Sequence, residues 1–512
     1  MNTMSDIKTT EIISDSIFDV GESVTDTFEI ESLGLNFDGY LNYLTFDKDI
    51  ILKRQAVFKD IIASDEVREK YAELLSRIDQ LEEFIRSYGS PDSNEEIIYS
   101  IIEIRSFCEV INYIAEELIP LVDKGVIKAE SVASFLKSAK AFSETKNYRD
   151  ITEWIENIDK DLKYIRSVTL GANIDAMMRI TEVGIVSMNK YPYVGGGLIK
   201  AVFGDEKVPG EYKVLKSLGI KETKKLLGYR SIKINNEFFS AVNDMFKSNL
   251  KSIREDILSV FKQSAVSVLS VGRDLRFIMR VSEYINNIRQ MNGKLVFPEV
   301  SEHTEIKGLY HPDILKKAGE NGVVKNDVYL DGSNNGVLLI GPNSGGKTVY
   351  VDSVGIAQLL FQLGLPVPAD EALMCPRDYI GSITVRDSEH NSDGRLASEV
   401  KRLKRCLEDI KDHKSPLLLL DETFSGTSAY DGEYLAQSLI KYLSRKNCIF
   451  LYITHFHELV NSVKAPNVRV MYAESVNGVR TYRIVPYSPD TKEGSLAKDV
   501  LIENGLEFIF TD

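Results

Sequence analysis

The run Gly341-Pro342-Asn343-Ser344-Gly345-Gly346-Lys347-Thr348 has the residue types and spacing G-x-x-x-x-G-K-[ST] of a phosphate-binding loop. Glycines let backbone N–H groups turn inward around phosphate oxygens, and a helix starting at the loop adds its positive dipole end. In that chemistry Lys347 reaches the β- and γ-phosphates of a nucleoside triphosphate, and the Thr348 hydroxyl serves Mg2+. The loop needs a strand before it and a helix after it. Gly336–Ile340 is a short apolar run that reads as a buried strand, and Val349, Val351, Val354, Ile356, Leu359 and Leu360 have helical apolar spacing.

A second group follows 74 residues after Lys347 (421 − 347), where four leucines, Leu417–Leu420, run into Asp421-Glu422. An apolar strand ending in a carboxylate pair suits a triphosphatase: Asp421 helps hold Mg2+ and Glu422 polarises the attacking water. A third strand-like run, Ile449–Ile453, ends in Thr454-His455, which puts a histidine within reach of a γ-phosphate.

The elements that hold these groups belong to a chain of several domains, since 512 residues exceed what one core encloses. Hydrophobic residues make up 43% and charged residues 27%, the balance of a globular chain. The net charge is −14, so any nucleic-acid contact has to come from a local basic patch. Cys108, Cys375, Cys406 and Cys448 are scattered without a C-x-x-C pair, which argues against zinc or a disulfide framework. The acidic, Ser/Thr-rich start lacks the pattern of a signal peptide, and no apolar run approaches membrane-spanning length. The expectation is a cytoplasmic protein with no membrane partner.

From residue 36 to 163 the pattern is helical. Leu74, Ile78, Leu81 and Ile85 form one apolar stripe, and Ile97, Ile101, Ile104, Cys108 and Ile111 another. Between them Ser90-Pro91-Asp92 reads as a turn and Ser93-x-x-Glu96 as a capping box. Residues 164–236 change texture. Tyr164–Leu170 and Thr181–Met188 look like strands, Gly171-Ala172-Asn173 like a break, and Gly195-Gly196-Gly197 and Val208-Pro209-Gly210 like turns. From Lys190 to Asn236 ten Lys/Arg face four Asp/Glu, a local excess of +6 that makes Lys221, Lys224, Lys225 and Arg230 candidate DNA-phosphate contacts. Helical pattern resumes over residues 237–292, with Leu258, Phe261, Ala265 and Val268 on one stripe. Residues 293–512 read as α/β, with Lys294–Phe297, Asp327–Leu330, Val468–Tyr472 and Thr481–Pro486 as further strands. Helices are expected over Leu396–Ile410, Glu433–Leu443 and Ser495 to Glu503.

The stretch Asp421-Glu422-Thr423-Phe424-Ser425-Gly426-Thr427-Ser428-Ala429-Tyr430-Asp431-Gly432 resembles the D-E-x-x-x-G-T-S-x-Y-D-G motif of DNA mismatch-repair MutS ATPases. The phosphate loop, Thr454–Leu459, and Tyr310-His311-Pro312 followed by Asn326-Asp327 are similar to the same family, strongly over residues 293–500 and more weakly over 36–292. The resemblance implies a multidomain α plus α/β chain: an acidic segment (1–35), a helical core (36–163), a β-containing basic clamp inserted at 164–236, a helical lever (237–292) and an ABC-like ATPase domain (293–512). It implies ATP and Mg2+ as cofactors and a homodimer whose two subunits close over two nucleotides. In that arrangement Asp421 and Thr348 serve Mg2+, Glu422 activates water, His455 watches the γ-phosphate, and Ser425–Asp431 face the partner subunit. The partners implied are a second copy and double-stranded or branched DNA, and the activity implied is an ATPase-driven DNA clamp in repair or recombination.

Two departures qualify the resemblance. Where the family places S-T-F-x-x-E in trans, this chain reads Gly394-Arg395-Leu396-x-x-Glu399 within Ser392–Glu399, keeping the glutamate without the Ser-Thr pair. Near Ile484 the family sets an aromatic residue or a histidine against the adenine, and residue type alone singles out no counterpart here. At most about 35 residues precede the core, and the first Phe-x-Glu, Phe107-Cys108-Glu109, falls on a helical core stripe. The expectation is therefore a protein that does not read mismatches directly and carries no Smr domain. A nucleotide-switched protein that grips another protein is the rival reading. An ABC transporter subunit would need an L-S-G-G-Q signature, and a chromosome-cohesion ATPase a long coiled coil between the motifs; neither is present.

Overall fold

The computed structural model describes residues 43–87, 96–163, 167–177, 180–189, 255–342, 344–383, 395–424, 427–456, 459–462, 465–476 and 479–488. They fall into two compact units. One takes Glu69–Gly125 and Ala133–Leu275; the other takes the residues up to Arg68, Val126–Val132, and Arg276 onward. The turn and capping box at Ser90–Ser93, the glycine and Pro-Gly turns, the basic run with Lys221, Lys224, Lys225 and Arg230, residues 237–254, and the helix expected after Ser495 lie outside the described residues.

Helices α1 (Lys48–Ala63), α2 (Asp65–Ser87), α3 (Glu96–Tyr113), α4 (Ile119–Asp123), α5 (Glu130–Ser143) and α6 (Lys146–Lys163) come first in the chain. The first unit is built mainly from α2 to α6. On α2 Leu74, Ile78 and Leu81 are buried, and on α3 Ile104, Cys108 and Ile111, as their spacing requires. Phe142 of α5 packs edge-on against Phe107 and Tyr148, with ring centroids 5.9 and 5.6 Å away. Between α3 and α4, Ile114–Leu118 widen into a π turn in which the Ile119 N–H reaches back to the Ile114 carbonyl. Pro120, next in line, has no N–H to offer a regular turn.

Strands β1 (Ser167–Ile174) and β2 (Ile180–Asn189) form an antiparallel hairpin in the same unit. Gly171-Ala172-Asn173 is therefore not a break: it is strand, and the chain reverses after Ile174. Gly171 pairs with Gly184, and a Cβ on Gly171 would lie 2.8 Å from Val186 Cγ2. The glycine marks a close approach inside a strand rather than a turn. Helix α7 (Glu255–Gln290) is 36 residues long, with Ala265 and Val268 on its buried face.

The second unit is mixed α/β. Its small sheet has the order β3 (Glu299–Val300), β7 (Glu371–Met374), β4 (Thr304–Leu309), β5 (Asn326–Leu330). Its larger sheet has the order β12 (Val479–Pro486), β11 (Val468–Val476), β6 (Gly336–Ile340), β10 (Ile449–Ile453), β9 (Pro416–Asp421), β8 (Tyr379–Ile383). All neighbours in the larger sheet pair in parallel except β11 with β12. Strands β6, β9 and β10 are buried along their whole length, which is why each is an apolar run, ended in β9 by Asp421. Helix α8 (Pro312–Ala318) follows β4. Helix α9 (Lys347–Gln362) packs on β9 and β10, and α10 (Arg395–Asp409) on β8. Helices α11 (Ala429–Leu443) and α12 (Leu459–Ser462) complete the unit.

Two expectations shift. Lys294–Phe297 is not a strand: Val296 makes only an isolated bridge with Val367, because Pro298 has no N–H to extend a ladder, and pairing starts at Glu299. Helix α11 starts at Ala429 rather than Glu433, because Ser428 caps it and accepts from the Asp431 N–H at 3.2 Å. No helix among the described residues is long and apolar enough to cross a membrane.

Candidate functional site at the strand ends

Three neighbouring parallel strands, β6, β10 and β9, end side by side, and each delivers a functional segment at its carboxyl end. This is where open α/β sheets place ligands. From β6 the chain enters the glycine loop. Ser344 turns into the left-handed region (φ +58°), and Gly346 (φ +91°) caps α9 in a conformation that favours glycine. A Cβ on Gly345 would sit 2.9 Å from the Pro342 carbonyl oxygen, so the missing side chain keeps the loop tight. Asn343 lies outside the described residues; Gly341, Pro342, Ser344, Gly345, Gly346, Lys347 and Thr348 stand on one strand–loop–helix turn.

Lys347 folds back over the loop, donating to the Gly341 and Pro342 carbonyls, each at 2.8 Å. It is 5% exposed, and burial lowers its pKa while Glu422 and Asp421 work in the opposite direction. The Thr348 hydroxyl donates to Asp421 Oδ2 at 2.8 Å. Asp421 closes β9 and is buried; burial pushes its carboxyl above the ordinary carboxylate value, against the Thr348 bond that lowers it. Its other oxygen, Oδ1, is buried with no hydrogen-bond partner among the described residues. An orphaned carboxylate oxygen beside a threonine hydroxyl fits a hard divalent cation, which takes oxygen ligands. Thr348 and Asp421 thus suit Mg2+.

Glu422 leaves the strand at φ +49°, yet its N–H still bonds the Ile453 carbonyl of β10 at 3.1 Å. That turn brings its carboxylate into contact with His455 Nε2. His455 is fixed from its own side, since the Thr454 N–H bonds Leu339 of β6 and the Thr454 hydroxyl accepts from Phe456 N–H. Lys347, Thr348, Asp421, Glu422 and His455 therefore converge at one place.

Next to the loop opens a cavity of about 510 Å³, walled by Tyr310, Ile314, Val323, Val324 and Tyr482 and floored by Lys347 and Thr348. It suits a flat apolar group carried by a phosphate chain. Tyr482 has φ +58°, and its ring lies against Gly346.

Comparison with known proteins gives this geometry its context. The model of MutS domain V matches residues 337–493. A DNA mismatch repair protein MutS of Oceanobacillus iheyensis is 25% identical over 427 residues, 80% of this chain and 44% of the relative. The MutS of Thermotoga petrophila is 25% identical over 486 residues, 88% of this chain and 57% of the relative.

Along most of its length the chain is similar to MutS proteins.

A third relative, MutS of Thermotoga maritima, is 30% identical over 260 residues, 49% of this chain and 32% of its own. The chain spans about half the length of the MutS relatives it matches. The MutS domain V match starts within β6 and runs past β12, so it holds the phosphate loop, Asp421, Glu422, His455 and Tyr482, while Tyr310 and Val323 precede it. Sequence reasoning missed Tyr482 because nothing in a strand-like run announces a left-handed tyrosine; its place two residues before Ile484 was the available signal. In the segment expected to act in trans, Ser392, Asp393 and Gly394 lie outside the described residues, and Arg395, Leu396 and Glu399 lie in α10. Ser425 and Gly426 are also outside.

Proposed function

We propose that this MutS-like protein binds and hydrolyses ATP with Mg2+ in its ABC-like ATPase domain, and uses that cycle, as a homodimer, to govern its grip on DNA. The observation that carries the reading is the convergence of Lys347, the Thr348–Asp421 pair and the Glu422–His455 pair beside a base-sized cavity. Gly341–Thr348 wrap the triphosphate, and Lys347 exchanges the loop carbonyls for β- and γ-phosphate oxygens. Thr348 and Asp421 would hold a magnesium ion, which would supply positive charge against the triphosphate. Glu422 accepts the proton of the attacking water, and His455, held against Glu422, faces the γ-phosphate. Tyr482 stacks on the adenine, the counterpart that residue type alone did not identify. The helical core at 36–163, the basic insertion at 164–236 and the lever at 237–292 form the arm that grips, and Lys221, Lys224, Lys225 and Arg230 supply phosphate contacts.

Fluorescence anisotropy of duplex, mismatched and branched DNA, with and without ATP and Mg2+, tests the DNA half of this reading. Affinity that changes with nucleotide and is indifferent to a single mismatch is expected. Intact ATP turnover with no DNA binding at low salt would favour a nucleotide-switched grip on a protein partner instead. A clear preference for mismatched over matched duplex would assign the chain a reading surface.

A further inference from the structure

Strands β11 and β12 pair as Ala473 with Ile484 and again as Ser475 with Arg480. Between those pairs Glu474 alone faces three residues, Thr481, Tyr482 and Arg483. The bulge places Tyr482 in the left-handed region, an unusual backbone for an aromatic residue, and lays its ring on the phosphate loop, with Cδ1 3.4 Å from where a Gly346 Cβ would stand. A bulge takes backbone groups off the ladder, and they need other partners. Asn326, on β5 of the other sheet, supplies them. Its Nδ2 donates to the Tyr482 carbonyl at 3.1 Å and its Oδ1 accepts from the Ile484 N–H at 2.7 Å. Asn326 is itself registered in its sheet opposite Leu309. The Thr481 hydroxyl adds contacts within the bulge, accepting from Arg483 N–H and donating to Glu474.

We propose that Asn326 is a positioning residue that aims Tyr482 at the nucleotide base, so that a side chain outside the phosphate loop sets how firmly the base is held. The inference rests on the nucleotide reading above. Asparagine suits the task because one amide must both donate and accept across a short gap. Aspartate keeps the acceptor for Ile484 but sets a carboxylate oxygen against the Tyr482 carbonyl, and alanine offers neither contact.

The test separates the base from the phosphates. ATP, inorganic tripolyphosphate and 2-aminopurine riboside triphosphate are titrated, each with Mg2+, into the wild type, Asn326→Ala, Asn326→Asp, Tyr482→Ala and the Asn326→Ala/Tyr482→Ala double variant. Both Asn326 variants should bind ATP about three- to tenfold more weakly, the weight of a stacking contact, with tripolyphosphate affinity unchanged. Quenching of 2-aminopurine on binding should fall in both. The double variant should bind ATP no more weakly than Tyr482→Ala, since the two residues act through one contact. If the Asn326 variants lose ATP and tripolyphosphate alike, or neither, while the wild type binds both, Asn326 does not position the base and the phosphate site stands. A wild type that binds neither ATP nor tripolyphosphate would overturn the nucleotide reading and this inference together.

Discussion

Asp421 shows what the site costs the fold. Its carboxyl titrates higher in the folded protein than the ordinary 3.8, because burial disfavours the anion. From about that value upward the folded state holds a proton the unfolded chain has released. The contribution of this group to stability therefore falls as pH rises through the window, and its full penalty stands above the folded pKa. Asp421→Asn keeps an acceptor for the Thr348 hydroxyl and removes the buried charge. Its melting temperature at pH 7 to 8 should rise above that of the wild type, with the gap closing toward pH 4. Magnesium-dependent ATP turnover should be lost at the same time, the familiar exchange of stability for function. Scanning calorimetry across pH checks the first effect and phosphate release the second; a variant that melts lower at every pH would contradict the reading of Asp421 as a strained ligand.

At the scale of elements, the strand–loop–helix turn depends on how α9 is anchored at its far end. Gln362 there donates to the Thr45 and Arg377 carbonyls at 3.1 and 2.9 Å and accepts from Arg377 N–H and Gln358 Nε2 at 3.0 and 2.7 Å. All of this is buried. Gln362→Ala leaves several polar groups without partners, and should destabilise the protein by roughly 3 kcal/mol in urea unfolding while the folded fraction still binds ATP. The phosphate loop and the two carboxylates were legible in the sequence because their chemistry fixes residue type and spacing, and β6, β9 and β10 because strands buried on both faces must be apolar. The cavity was not legible. Its walls come from Tyr310, Val323 and Val324 before the loop and Tyr482 long after it, and the β12 bulge and the Asn326 amide bring Tyr482 to that wall. Likewise Gly171 read as a break because sequence alone does not show the Val186 side chain that takes up its missing Cβ space.

At the scale of the whole molecule, a chain of net charge −14 could hold DNA only through a local basic patch. If the run from Lys190 to Asn236 is that patch, affinity should fall steeply with salt and depend little on sequence. Reversing Lys221, Lys224, Lys225 and Arg230 to Glu should then weaken every DNA substrate alike and flatten the salt dependence; unchanged affinity would place the DNA elsewhere. If two subunits close over ATP, Glu422→Gln, which should retain the nucleotide, should double in mass by light scattering on adding ATP and Mg2+; a monomer at micromolar concentration would count against a composite site. The central claim, a site that binds ATP through the loop and hydrolyses it through Glu422, is tested most directly by equilibrium binding of ATP and Mg2+ alongside single-turnover hydrolysis, in the wild type, Glu422→Gln and Lys347→Ala. Glu422→Gln should bind as the wild type does but cleave about 10²- to 10⁴-fold more slowly, having lost the base while Asp421 remains, and Lys347→Ala should fail to bind. Cleavage by Glu422→Gln at the wild-type rate, or ATP binding undiminished in Lys347→Ala, would contradict the account.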